Sequence, residues 1–71
     1  MEFDYSKLKG KIKEVFNTQE AFADAIEMNR VTLSLSLNNK REFSQSEMMK
    51  SCNALNLEPI DIPLYFFKLL V

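Results

Sequence analysis

A single cysteine, Cys52, and the absence of any histidine constrain this chain more than any other feature of its sequence. A disulfide needs a second cysteine and structural zinc is held largely by Cys and His, so neither staple is open to it. Its 71 residues must close one apolar core, because two halves of about 35 residues cannot each close their own. The composition allows this: 46% of the residues are hydrophobic, six Phe and two Tyr among them, and one Gly and two Pro argue against disorder. The missing histidine also removes the commonest general base, and the chain has neither a Gly-rich phosphate loop nor a G-x-S-x-G elbow. The expectation is a protein that is not an enzyme and uses no metal or cofactor. The opening MEFDYSKLKG has no apolar stretch and does not read as a secretory signal. The longest apolar run, Leu64 to Phe67, is four residues against the roughly 20 that span a bilayer, so no membrane is expected as a partner.

Residues 5 to 16 place Leu8, Ile12, Val15 and Phe16 on one helical stripe, with Asp4 as N-cap and Lys7, Lys9, Lys11 and Lys13 fanned over the polar side. Asn17 can end this helix in a left-handed conformation. Thr18 can cap the next, where Phe22 and Ile26 lie one turn apart and Ala23 is the small side chain expected in a helix contact. After a break at residues 27 to 29, Asn29 caps a third helix that runs to Leu37. The Leu and Ser alternation from 33 to 37 also fits a strand, and the caps and neighbouring helices favour a helix. On that helix Leu33 and Leu37 bury while Val31, Ser34 and Leu35 point elsewhere. Ser44-Gln45-Ser46-Glu47 has the spacing of a capping box, and it opens a fourth helix with Met48, Met49, Cys52 and Leu55 inward and Phe43 as a staple outside the cap. Asn56 ends that helix, Pro59 opens a short fifth, and Pro63 is expected to stop or kink it. Residues 64 to 71 are apolar at seven positions of eight and need cover from their own core or another molecule; strand, helix and interface all remain open for them.

Five short helices with a tight break between the second and third resemble the helix-turn-helix domains of phage repressor and Cro-type (XRE-like) regulators. The resemblance is carried by Thr18-Gln19-Glu20-Ala21-Phe22-Ala23-Asp24-Ala25-Ile26, by Asn29-Arg30-Val31-Thr32-Leu33-Ser34, and by Leu37-Asn38-Asn39-Lys40. Ala23 matches the small residue between the helices, Leu33 the buried aliphatic of the third helix, and Asn38-Asn39-Lys40 the family's Asn-Gly-Lys loop. Phe3-Asp4-Tyr5-Ser6-Lys7-Leu8 and Tyr65-Phe66-Phe67 are similar to short forms from phages of low-GC Gram-positive bacteria. The resemblance implies an all-α, compact five-helix, lambda-repressor-like domain over residues 1–71, with its helix-turn-helix at about 18–37, working in the cytoplasm of a bacterial host.

In such domains the third helix enters the major groove, and dimers read half-sites about 34 Å apart. Carried over by position, Arg30, Val31, Ser34 and Leu35 would face base edges or a partner, and Thr18, Gln19, Asn38, Asn39, Lys40 and Arg41 would grip phosphates. Arg30 near a helix N-terminus is disfavoured by the dipole, which argues for a functional role. Leu35 either meets a partner or packs against the C-terminal tail. Outside the family register Lys40 and Arg41 read as solvated loop charge, and Met48, Met49 and Cys52 read as core. The chain departs from the family at Glu27, where a glycine is usual at a left-handed turn, and at Leu35, where many relatives carry a long polar side chain. The net charge is −1, distributed as +1 over residues 1–16, −3 over 17–29, +3 over 30–41 and −2 over 42–71. Glu20, Asp24 and Glu27 thus border the local positive zone of Arg30, Lys40 and Arg41, and weak intrinsic DNA affinity is expected. Two functions follow from the resemblance, separately or together: a Cro-like regulator of the lysogenic/lytic switch on operator DNA, with a homodimer through the C-terminal tail, and an anti-repressor that binds the cognate phage repressor through this face and blocks or alters its DNA binding.

Overall fold

Small polar side chains set the helix boundaries. The computed structural model describes residues 2–70, so Met1 and Val71, the two ends of the expected domain and tail, lie outside the described residues. Five α-helices follow one another: α1 (Ser6–Phe16), α2 (Gln19–Ala25), α3 (Arg30–Leu37), α4 (Gln45–Leu55) and α5 (Ile62–Phe66), the last entered through a 3₁₀ turn, Pro59–Asp61. The all-α expectation holds, and residues 33 to 37 are helix, not strand. Thr18 Oγ1 accepts the Ala21 N–H, Asn29 Oδ1 accepts the Val31 and Thr32 N–H groups, and Ser44 with Glu47 forms the reciprocal capping box. At α1 the cap sits one residue late: Tyr5 holds the N-cap position, while Asp4 Oδ1 still accepts the Ser6 N–H at 2.9 Å.

The helix exits use no glycine. Asn17, Glu27, Asn39 and Asn56 all have positive φ, between 58° and 70°. After α2 the Met28 N–H reaches the Ala23 carbonyl at 2.8 Å and the Glu27 N–H reaches Asp24 at 3.2 Å; after α3 the Lys40 and Asn39 N–H groups reach Leu35 and Ser36 in the same pattern. These paired bonds satisfy the last carbonyls and reverse the chain within a residue or two.

Leu8, Ile12, Phe22, Ala23, Leu33, Leu55 and Phe66 are almost completely buried and form the core between the helices. Ala23 lies where α2 packs against its neighbours, as its size predicts. Two expected core positions are outside it: Val15 and Met49 are exposed, because each sits at the edge of its stripe, and the buried Ser51 takes the interior place next to Cys52. Ser51 manages this by donating its hydroxyl to the Glu47 carbonyl at 2.7 Å.

Pro63 opens α5 where it was expected to stop a helix; in a first turn its missing N–H has no partner to lose. The tail is also less buried than its composition suggests. Phe66 is buried and its ring meets Phe43 edge-on at 5.1 Å, whereas Leu64, Phe67, Leu69 and Leu70 are exposed. Residues 68 to 70 instead run antiparallel to residues 2 to 4, bridging at Phe3 and Leu69 through Asp4 N–H to Lys68 O and Leu70 N–H to Glu2 O.

Of the four left-handed residues only Glu27 lacks the short side chain that tolerates the conformation, in which the clash of Cβ with the following carbonyl oxygen costs roughly 1–2 kcal/mol. Its carboxylate lies 3.7 Å from Lys50 Nζ and is largely exposed, so little is lost with it. Glu27→Gly is therefore expected to stabilise the fold by about 0.5–1 kcal/mol, after allowing for the greater freedom of glycine in the unfolded chain, as read by urea unfolding. An unchanged or lower midpoint would show that the turn is not strained.

Candidate functional site

Helix α3 begins at a capped N-terminus and packs inward with Leu33, Ser36 and Leu37, which leaves Arg30, Val31, Ser34 and Leu35 together on its outer side. Val31 is 67% exposed and Leu35 43%, so both present apolar surface to solvent. Two exposed aliphatic groups on one short helix make a surface that gains from being covered.

The charged side chains around it are turned toward the protein itself. Arg30 Nη1 donates to Glu20 Oε2 at 3.1 Å and Nη2 to Asp24 Oδ2 at 3.4 Å, both carboxylates coming from consecutive turns of α2. All three side chains are more than half exposed, so these pairs orient the guanidinium more than they stabilise the fold. The Glu27 carboxylate, in the turn between α2 and α3, lies 3.7 Å from Lys50 Nζ.

The residues expected to grip phosphate are mostly engaged elsewhere. Asn39 Oδ1 accepts the Phe3 N–H and its Nδ2 donates to the Phe3 carbonyl, both at 2.9 Å, so the side-chain amide tethers the N-terminal segment as a strand would. Arg41 makes a two-pronged pair with Glu47 at 2.9 and 2.8 Å and also donates to the buried Ser36 hydroxyl. Asn38 donates to the Ser34 carbonyl at 2.8 Å, and Thr18 is occupied as a cap. Gln19 and Lys40 are exposed and hold no side-chain hydrogen bond among the described residues. The structure thus brings Arg30, Val31, Ser34 and Leu35 onto one face with the capped start of α2, and draws Asn39 and Arg41 away from it.

Charge along the sequence puts Glu20 and Asp24 next to the positive zone but gives them no role; their i, i+4 spacing on α2 is the signal that they share one side and can hold one cation between them. Arg41 also binds the fold to its acids. Its guanidinium, with the Ser44 N–H at 2.8 Å, holds the Glu47 carboxyl below its ordinary value. Burial pushes the Cys52 thiol up, consistent with a core role.

The family described as "Protein of unknown function (DUF739)" matches residues 1–69. No curated protein matches the chain. Among solved structures the chain is similar to the solution structure of the modulator of repression (MOR) of the temperate bacteriophage TP901-1 from Lactococcus lactis, with 44% identity, a TM-score of 0.82, and 99% of this chain and 97% of that one covered. Among the described residues no helix is long and apolar enough to cross a membrane.

Because the folded Glu47 carboxyl titrates below its ordinary value of 4.5, the stability it contributes is present above that value and lost as the pH falls through the lower folded one. Glu47→Gln should cost about 1–2 kcal/mol at neutral pH by weakening the charged pair with Arg41. Its thermal midpoint should then fall less than that of the parent between about pH 6 and pH 3. Parallel curves would remove Glu47 from the acid response.

Proposed function

We propose that this chain, which belongs to the DUF739 family, is a bacteriophage modulator of repression that docks its α2–α3 face on the phage's own repressor and masks the surface with which that repressor holds DNA. The observation that carries this reading is the state of the face. Val31 and Leu35 stand exposed while Arg30 is held by Glu20 and Asp24. Operator DNA is a dense array of negative charge and demands free cations; a surface that binds DNA is itself basic, and an apolar patch with the carboxylates of Glu20 and Asp24 to one side complements it. The similarity to a modulator of repression over nearly the whole of both chains supports the same choice over operator binding by this chain alone. On this reading α2 and α3 form a helix-turn-helix turned to protein recognition, and occupancy of the repressor decides transcription in the bacterial cytoplasm with no catalytic step.

Leu35→Arg places a charge in the middle of the proposed contact while leaving an exposed position exposed, so the fold is expected to survive it. Titration against the purified phage repressor should show affinity weakened by about tenfold or more, with helical circular dichroism unchanged. Equal affinity for the parent and the variant would take this face out of the interface.

A further inference from the structure

Glu20 and Asp24 do more on this face than add negative charge. Arg30 is the first residue of α3, where the aligned peptide dipoles oppose a cation, and its side chain is instead held back over α2 with each terminal nitrogen on a different carboxylate. A guanidinium recognises a phosphate or a guanine edge with two parallel N–H donors. Here both prongs are already occupied, at 3.1 and 3.4 Å, by acids that would themselves repel a phosphate.

We infer that Glu20 and Asp24 are the specificity determinants of the α2–α3 face: by holding Arg30 between them they bar nucleic acid from a helix otherwise open to it. The inference rests on the proposed function only in taking α2–α3 as the contact face. Freed of the two acids, Arg30 extends into solvent beside Val31 and Ser34, and DNA affinity rises above that of the parent chain. The two pairs lie at the surface, so each is weak, and neither touches the core. That weakness makes the device readable, because the acids can be removed without unfolding the protein.

The test is a mutant cycle on DNA alone. Parent, R30Q, E20Q with D24N, and all three changes together are titrated by fluorescence anisotropy against a labelled random-sequence duplex at low salt. E20Q with D24N is expected to tighten binding about tenfold when Arg30 is present and less than about threefold when it is Gln, as the summed strength of two exposed pairs allows. The gained affinity should also fall more steeply with salt, by about one unit of the log–log slope, as one more cation reaches phosphate. No gain in E20Q with D24N, or an equal gain with and without Arg30, overturns the inference, the second because lost negative charge would then be the whole effect. Repressor is absent from this assay and DNA is absent from the Leu35→Arg titration, so either result can fail while the other stands.

Discussion

Left-handed closure of helices without glycine is the constraint on which the rest of this structure depends. A chain with no disulfide to lean on must reverse direction several times within 71 residues to bring its helices onto one core. It does so at Asn17, Glu27, Asn39 and Asn56, while its one glycine, Gly10, lies inside α1. Asparagine tolerates this backbone because its short polar side chain can satisfy local groups. Those tight exits put Phe22, Ala23 and Leu33 at the junction of α1, α2 and α3, and they also aim the outer side of α3 at solvent.

The same economy of polar groups shapes the loop after α3. Asn39 has a left-handed backbone and a side chain that mimics a strand partner for Phe3, so one residue ends a helix and holds the N-terminal segment. Arg41 joins the end of α3, through Ser36, to the capping box of α4, through Glu47. A loop whose amide and guanidinium are committed to the fold in this way keeps Lys40 as its exposed cation without a side-chain hydrogen bond among the described residues.

What could be read from the sequence was local. Thr18, Asn29 and the Ser44 to Glu47 box act within three residues of themselves, and their caps stand where their spacing puts them. Leu33 and Leu37 bury and Val31 and Leu35 do not, because a helical repeat fixes the angle between them. Periodicity failed at the margins of stripes: Val15 and Met49 lie at the boundary of their helical faces and are exposed. Asn39 pairs with Phe3 across 36 residues, and no pattern within either segment announces it. The tail was unreadable for the same reason, since apolar composition says that cover is needed and not that residues 68 to 70 will run along residues 2 to 4.

The face itself was half legible. Glu20, Asp24 and Arg30 were visible as neighbouring charges, but a segment charge count treats acids and bases as additive and cannot tell a free cation from a held one. The geometry makes that distinction, and it changes the partner that suits the face. A DNA-reading helix needs cations at its edge, because the phosphate backbone supplies much of the affinity and all of the register. With the cation held and carboxylates beside it, the proposed partner is a surface built to meet DNA, basic at its edge and with apolar groups at its centre for thymine methyls. Val31 and Leu35 can be covered by such a surface and the acids of α2 can pair with its rim. On the proposed reading, α2 and α3 would meet another DNA-binding face without copying its charge, by placing held acids where a DNA reader carries free cations.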